Sequence, residues 1–458
     1  MKVLLRSLLV LLSISTFILS CNDGSDLQSN NRALERKECT ILIYMAADND
    51  LYPFASQNLA QLKEVGSNEH LNILVHLDIK VPGQKKVTKH LLIKKNQILQ
   101  IGPDMCLNSG SAETLIQAAL WAINNYPANH FILDFWNHGS GDLNPRMDRT
   151  INPAYLFRYN EVTGLIELDR SISFTNFIDL VGNKDKEELC DPNRGICFDE
   201  TFHAYLDDSK LMKALTRITS ALGKHIDLIM FDACLMAGTG TACIASQFAD
   251  YMTASEEVVL GPGYNYKLVV NAITSNGNNI KQMAKDIVIG YEATYGKLTS
   301  DYTHSAFDLS LFTKINNNID LLAQLLIEAL DDEKNNTLSI AIRSARSRFT
   351  CTYFEEPSYI DLFHFYNNLK DRLSSIILST PTTTSTMQTA LNKVLNEGLA
   401  LMPKFIIANV RGSNLAGARG LSIYFPEQKI NNPHHNSYQY TEFAQHNNWL
   451  QFLKAYNG

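Results

Sequence analysis

Apolar and polar positions change period many times along this chain, and the changes mark its elements. From Thr40 the run TILIYMAA is almost wholly apolar and ends in the polar turn DNDL. A short β-rich run of this kind predicts a strand. YPFASQNLAQLKEVG then spaces its apolar residues as a helix does, with Gly66 as a stop. LNILVHLDI predicts a second buried strand, and KHLLIKKNQILQIG two short strands in a hairpin. In SAETLIQAALWAINNYP, Leu115, Ala118, Ala119 and Ala122 recur on one helical face, Ser111 is placed to cap and Pro127 to end the helix. HFILDFWNHGSG reads as a strand and a glycine-rich turn, SKLMKALTRITSALG as a helix, and HIDLIMFDACLMAG as a strand and a turn. YMTASEEVVLGPGYNY gives a further strand and a loop.

This alternation predicts an α/β fold: a largely parallel sheet with helices on both faces. Sites in such folds lie beyond the carboxyl ends of the strands. Two positions stand there: His138, just after FILDFW, and Cys234, just after LIMFD. Between them, residues 142–199 are polar and lack clear periodicity; loops of that length are functional or disordered. Further on, LFTKINNNIDLLAQLLIEALDD, TLSIAIRSARSRF and YIDLFHFYNNLKDRLSSIIL read as helices, STPTTTSTMQ as a linker-like break, and GLSIYFPE as a late strand. The expected layout is an α/β domain over residues 39–308 and a mainly helical C-terminal subdomain over 309–458.

Composition narrows the class. With 458 residues, 45% hydrophobic and 19% charged, the chain has the make-up of an ordinary globular protein. A net charge of -7, with no basic cluster denser than GQKKVTK, argues against nucleic acid as the partner. The first residues stand apart. Lys2 and Arg6 precede an apolar run from Leu8 to Leu19, then Ser20 and Cys21. That is the pattern of a secretory signal over residues 1–20. ILSC resembles a bacterial lipobox, which would make Cys21 a lipid-anchored first residue and 21–38 a flexible tether. The alternative is plain secretion with Cys21 removed. Lipidation of Cys21 would leave seven of the eight cysteines, so at least one free thiol in an exported protein. The absence of paired CxxC motifs argues against a structural zinc site.

Free cysteines are often small buried hydrophobes, and Cys234 could be one. A cysteine at a strand end beside a histidine at a neighbouring strand end has a second use, because the base can draw the thiol proton. His138 is that histidine. Gly139 after it leaves backbone N–H groups able to face an oxyanion. Most of the twelve histidines must be bystanders; His203, His225, His434 and His435 read as loop or surface residues. Cys243, within GTACIASQF, is the rival thiol and reads as core.

YMAADNDL, YPANHFILDFWNHGSG and IDLIMFDACLMAG, in that order, resemble the clostripain family of cysteine peptidases, part of the caspase-, gingipain- and legumain-like group. GARGLSIYFP resembles a further family segment, and the likeness runs from about Thr40 to Pro426. The resemblance implies a caspase-like sheet and a cysteine endopeptidase with a Cys-His dyad. Cys234 would attack the peptide carbonyl, His138 would protonate the leaving amine, and the N–H groups of Gly139 and Cys234 would form the oxyanion hole. Asp232 would sit in the S1 pocket and select Arg or Lys at P1; otherwise it only caps a turn. The family's loop usually carries an acidic residue where this chain has Tyr264 and Asn265, which points to a weakened or broadened preference. The resemblance also implies activation by a cut after a basic residue, here at Arg194-Gly195, although Arg194 is equally an ordinary surface arginine. No cofactor is implied. Some relatives need calcium, for which Asp199, Asp207 and Asp208 are near enough in sequence, though they fit no EF-hand. Peptides or proteins are the expected substrates, and a lipid anchor the expected link to a membrane. The rivals are a catalytically silent surface binding protein on the same fold and a peptidase with a non-basic P1 preference.

Overall fold

The computed structural model of the chain describes residues 36–143, 156–169, 195–331, 336–377, 384–430 and 433–457. Residues Arg36–Gly458 form one compact unit. Its strands, in chain order, are β1 (Lys37–Ala47), β2 (Leu71–Ile79), β3 (Val87–Lys94), β4 (Gln97–Met105), β5 (Ala128–Trp136), β6 (Phe157–Asn160), β7 (Leu165–Leu168), β8 (Ile196–Asp199), β9 (Ala204–Leu206), β10 (Ile226–Asp232), β11 (Ala249–Ala254), β12 (Thr303–Asp308), β13 (Tyr359–Asp361), β14 (Ile406–Arg411) and β15 (Ser422–Tyr424).

Nine of them make one sheet in the order β14-β12-β11-β10-β5-β1-β2-β3-β4. The five central strands, β11 to β2, pair in parallel. β3 and β12 turn back against them, so each flank is antiparallel. The expected parallel sheet is therefore present but mixed. The reason is local: β2, β3 and β4 follow one another through short turns, and a short turn can join only antiparallel strands. Asn96, at φ 63, makes the tight turn between β3 and β4.

Strand residues alternate between two cores, as period two requires. Leu42, Tyr44 and Ala46 of β1 face one core, with Leu115 and Ala118 of the helix Ala112–Asn125 and Leu211 of the helix Asp208–Leu222. Ile41, Ile43 and Met45 face the other, with Leu62 of the helix Tyr52–Val65 and Met283 of the helix Ile280–Tyr295. The sheet is covered on both sides, which explains the unbroken apolar runs. Ser111 does stand at the N-cap of the helix Ala112–Asn125, but its hydroxyl makes no capping bond.

The region after residue 308 is mainly helical, yet it gives β14 to the central sheet, where β14 pairs with β12. GLSIYFPE forms β15, which joins β13 in a separate two-stranded ribbon. His203 and His225 are exposed. His435 is not a surface residue: it is buried, with Nδ1 2.9 Å from the Tyr424 hydroxyl. Cys39, Cys106, Cys197, Cys234 and Cys351 are free thiols. No helix among the described residues is long and apolar enough to cross a membrane. The signal segment, Cys21 and Arg194 lie outside the described residues.

Candidate active site

The sheet brings His138 and Cys234 together by adjacency of β5 and β10, whose register sets Trp136 opposite Asp232. Both chains leave the sheet at that level. Asn137 fixes the exit of β5. Its side chain donates to Ala46 O at the end of β1 and accepts from Phe198 N of β8 at 2.7 Å, and its backbone N–H donates to Asp232 O at 3.3 Å. The next residue, His138, is turned by Asp50 from the DNDL turn: Nε2 lies 2.6 Å from Asp50 Oδ1. Asp50 is itself held by its neighbour, since the Asn49 amide donates to Ala46 O and Phe198 O, each at 3.0 Å. With Nε2 engaged by Asp50, Nδ1 of His138 is the ring nitrogen left for chemistry.

Cys234 follows β10 by two residues and precedes Leu235, whose φ of 62 is the left-handed region that a branched side chain rarely occupies. The loop after β11 supports that turn. Val259 N–H donates to Cys234 Sγ at 3.2 Å, Leu235 N–H to Glu257 O at 3.3 Å, and Ala237 N–H to Ser255 O at 2.9 Å. Burial pushes the Cys234 thiol up to about 12, helped by the Glu355, Glu257 and Asp232 charges and opposed by the Val259 amide. The resting group is therefore a neutral thiol, and its proton must leave in step with attack. Gly139 lies behind it: a Cβ there would come 2.4 Å from Cys234 O and 2.9 Å from the Met236 side chain, so only glycine fits. Gly139 also bridges to Ile196, just after Gly195.

Asp232, the last residue of β10, is buried and points under the thiol. It accepts from Tyr264 N–H on both oxygens, at 3.1 and 3.0 Å, and lies 3.1 Å from the Tyr266 hydroxyl. Burial raises its pKa from 3.8 to about 7, against the pull of those two donors. His138, Cys234, Asp232, Trp136, Leu51 and Gly263 line one cavity of about 20 Å³, roughly room for a single water. Gly263 presses on its floor, with φ +61 and an imagined Cβ 2.3 Å from both Asp232 oxygens. The site has a thiol, an imidazole and a carboxylate around one point, which suits acyl transfer.

A family model described as the clostripain family matches residues 43–155 and 181–456. The chain belongs to the clostripain family. It is a cysteine-type endopeptidase and acts on peptides. It is 22% identical to clostripain of Hathewaya histolytica over 460 residues, which cover 87% of this chain and 76% of that protein. Two solved structures share its fold at a TM-score of 0.54 and 19% identity. One is a secreted C11 cysteine protease from Bacteroides thetaiotaomicron in complex with an irreversible peptide inhibitor, covering 88% of this chain and 97% of that one. The other is an inactive zymogen C11 protease from Parabacteroides distasonis, covering 90% and 98%.

Of the expected site residues, His138, Gly139, Asp232 and Cys234 converge. Cys243 does not: it packs against the core from the short helix Thr239–Ala245. The three aspartates considered for calcium also separate. Asp199 accepts from Lys86, Asp207 caps the helix Asp208–Leu222 through Lys210 N–H at 2.8 Å, and Asp208 accepts from Glu442 N–H at 3.2 Å. No group of three metal-ligating side chains is assembled among the described residues. Sequence reasoning missed Asp50 and Tyr266, and it noted Tyr264 only as standing where the family carries an acid, not as a backbone donor to Asp232. Asp50 carried a signal, since DNDL ends the strand beside β5. The tyrosines carried none, because their role depends on a loop folding back under β10.

Proposed function

We propose that this clostripain-family peptidase is exported, cuts after Arg or Lys, and works through His138 and Cys234. The observation that carries the reading is the buried Asp232 carboxylate on the floor of the cavity that His138 and Cys234 line. A carboxylate so placed attracts a guanidinium or ammonium by charge-assisted hydrogen bonds.

Cys234 Sγ attacks the carbonyl carbon as its proton passes to His138 Nδ1. The oxyanion gathers N–H donors from Gly139 and Cys234. The imidazolium then gives its proton to the leaving amine, and the thioester remains. Water attacks the thioester, His138 takes the water proton, and the carboxylic product leaves with thiol restored. Asp50 holds the ring in place. No step calls on a cofactor.

The cavity is too small for an arginine side chain, so substrate entry requires the segment around Gly263 to move away from Asp232. A cut at Arg194-Gly195 would fall just before Ile196, which is bridged to Gly139 beside His138. The solved zymogen relative supports a processed enzyme of this kind. Anchoring through Cys21 belongs to the same reading. A fluorogenic peptide library varied at P1, run with wild type and Cys234→Ala, tests it. Turnover after Arg and Lys that vanishes in the variant is expected. Turnover only after Leu or Asp overturns the specificity, and none at all favours a silent binding protein. N-terminal sequencing tests the cut: a single unprocessed chain in both proteins excludes self-cleavage.

A further inference from the structure

A second aspartate lies below the first. Asp134 sits inside FILDFW, in the middle of β5, fully buried and opposite Met230 of β10. The Tyr266 hydroxyl stands between the two carboxyls, 2.6 Å from Asp134 Oδ2 and 3.1 Å from Asp232 Oδ2. A phenol has one proton to give. Two carboxylate anions against its oxygen would leave one of them facing a lone pair in a low dielectric. The buried titratable groups facing the pair bring no positive charge: Cys197 of β8, Cys234 past β10, Tyr264 of the loop, and Tyr291 and Tyr295 of the helix Ile280–Tyr295; His138, which shares the cavity with Asp232, is paired with Asp50. His304 of β12, 2.6 Å from the Tyr264 hydroxyl, is kept neutral by burial. One of the two carboxyls must therefore carry a proton.

The geometry says which. Asp232 accepts the Tyr264 amide on both oxygens and lines the cavity. Asp134 has only the Asp232 backbone amide, besides Tyr266, to favour its anion, and its Oδ1 has no hydrogen-bond partner. We infer that Asp134 is a neutral carboxylic acid whose Oδ2–H donates to the Tyr266 oxygen, so that Tyr266 donates to Asp232 and the single negative charge rests on the carboxylate that meets the P1 side chain. Burial, and next the Asp232 charge, push Asp134 well above the carboxylate range, in keeping with this. Buried acids kept neutral so that they can donate are known devices. Asp134 is thus a positioning residue for specificity. The role in specificity rests on the P1 reading above; the charge state of Asp134 does not.

Infrared spectroscopy of the protein without substrate tests the charge state. A protonated carboxyl band present at about pH 9, where Asp232 (raised to about 7) is ionised, should disappear in Asp134→Asn and shift upward in Tyr266→Phe, where the acceptor of that proton is gone. A band unchanged in either variant overturns the inference. Kinetics tests the role. The amide of Asp134→Asn can still donate to Tyr266, so kcat/KM on Arg substrates should stay within about threefold of wild type. Asp134→Leu, with no donor, should raise KM on those substrates about tenfold at unchanged kcat. A loss of tenfold or more on Arg substrates in Asp134→Asn, with neutral-P1 turnover intact, would show a second anion and overturn the inference. If no basic-P1 substrate is cut by wild type, the specificity reading fails, while the infrared result still decides the proton.

Discussion

Two carboxylate clusters lie at the carboxyl edge of the same sheet and are neutralised in opposite ways. At one, Asp48 and Asp78, just past β1 and on β2, and Asp199 of β8 converge on the Lys86 ammonium, at 2.9, 2.6 and 2.5 Å. Lys86 is 3% exposed. Ser109 and Thr88 add hydroxyl donors to Asp78. At the other, Asp134 and Asp232 share the Tyr266 hydroxyl and meet no internal cation among the described residues. The first cluster has its counter-ion built in and ties three chain segments together. The second has no cation among the described residues, in the place where a substrate side chain would arrive. A buried acid with an internal partner reads as architecture; one without reads as an invitation to a ligand.

Breaking the first cluster should have the largest effect. Lys86→Met strands three buried carboxylates, and a loss of about 3–5 kcal/mol in unfolding free energy is expected. Urea or thermal unfolding measures it, and a variant as stable as wild type would show that the cage is not needed. Asp232→Asn should act the other way on stability. The carboxyl is raised from 3.8 to about 7 in the fold, so its ionisation disfavours the native state. The stability it supplies when protonated is lost as pH rises from the unfolded value through about 7. At pH 8 the variant should be more stable than wild type by up to about 4 kcal/mol while losing about 100-fold in kcat/KM on Arg substrates. A third measurement sharpens the contrast. As pH falls below about 7, kcat/KM on Arg substrates should drop about tenfold per unit, with no matching limb for neutral-P1 substrates that do not need the charge. The smallest effect concerns Asp50, two residues from Asp48 of the cage. Asp50→Asn should lower kcat about tenfold at near-constant KM, because the ring of His138 loses its charged holder rather than the substrate its pocket. A changed KM alone would place Asp50 in binding instead.

The sequence made the strands and the two ends that matter legible for a physical reason. FILDFW and LIMFD are unbroken because both faces of the sheet are covered, and their ends show as the first polar residues. The flanking strands were less clear. β14 was hidden in a helical region, because ANV is as compatible with a helix end as with a strand, and its place depends on β12. Lys86 looked like part of a solvated turn, since nothing local distinguishes a lysine that folds back over three aspartates 8, 38 and 113 residues away. Asp134 did have a signal: an acid inside a strand too apolar to have a solvent face. It was legible in the same way as Asp232, but only its neighbour stood beside a cysteine.

The turn that carries the nucleophile is tied down from far along the chain. Ser422 N–H donates to Ala237 O at 2.9 Å, and its hydroxyl reaches the same oxygen across 185 residues of sequence. During synthesis, then, the ribosome will have made the thiol, the imidazole and the pocket acid long before it makes the strand that fixes them. Closing so long a loop is slow compared with forming local helices. The nascent chain therefore carries all the parts of a peptidase without the peptidase, and the order of translation postpones hydrolysis until nearly the whole fold is in place.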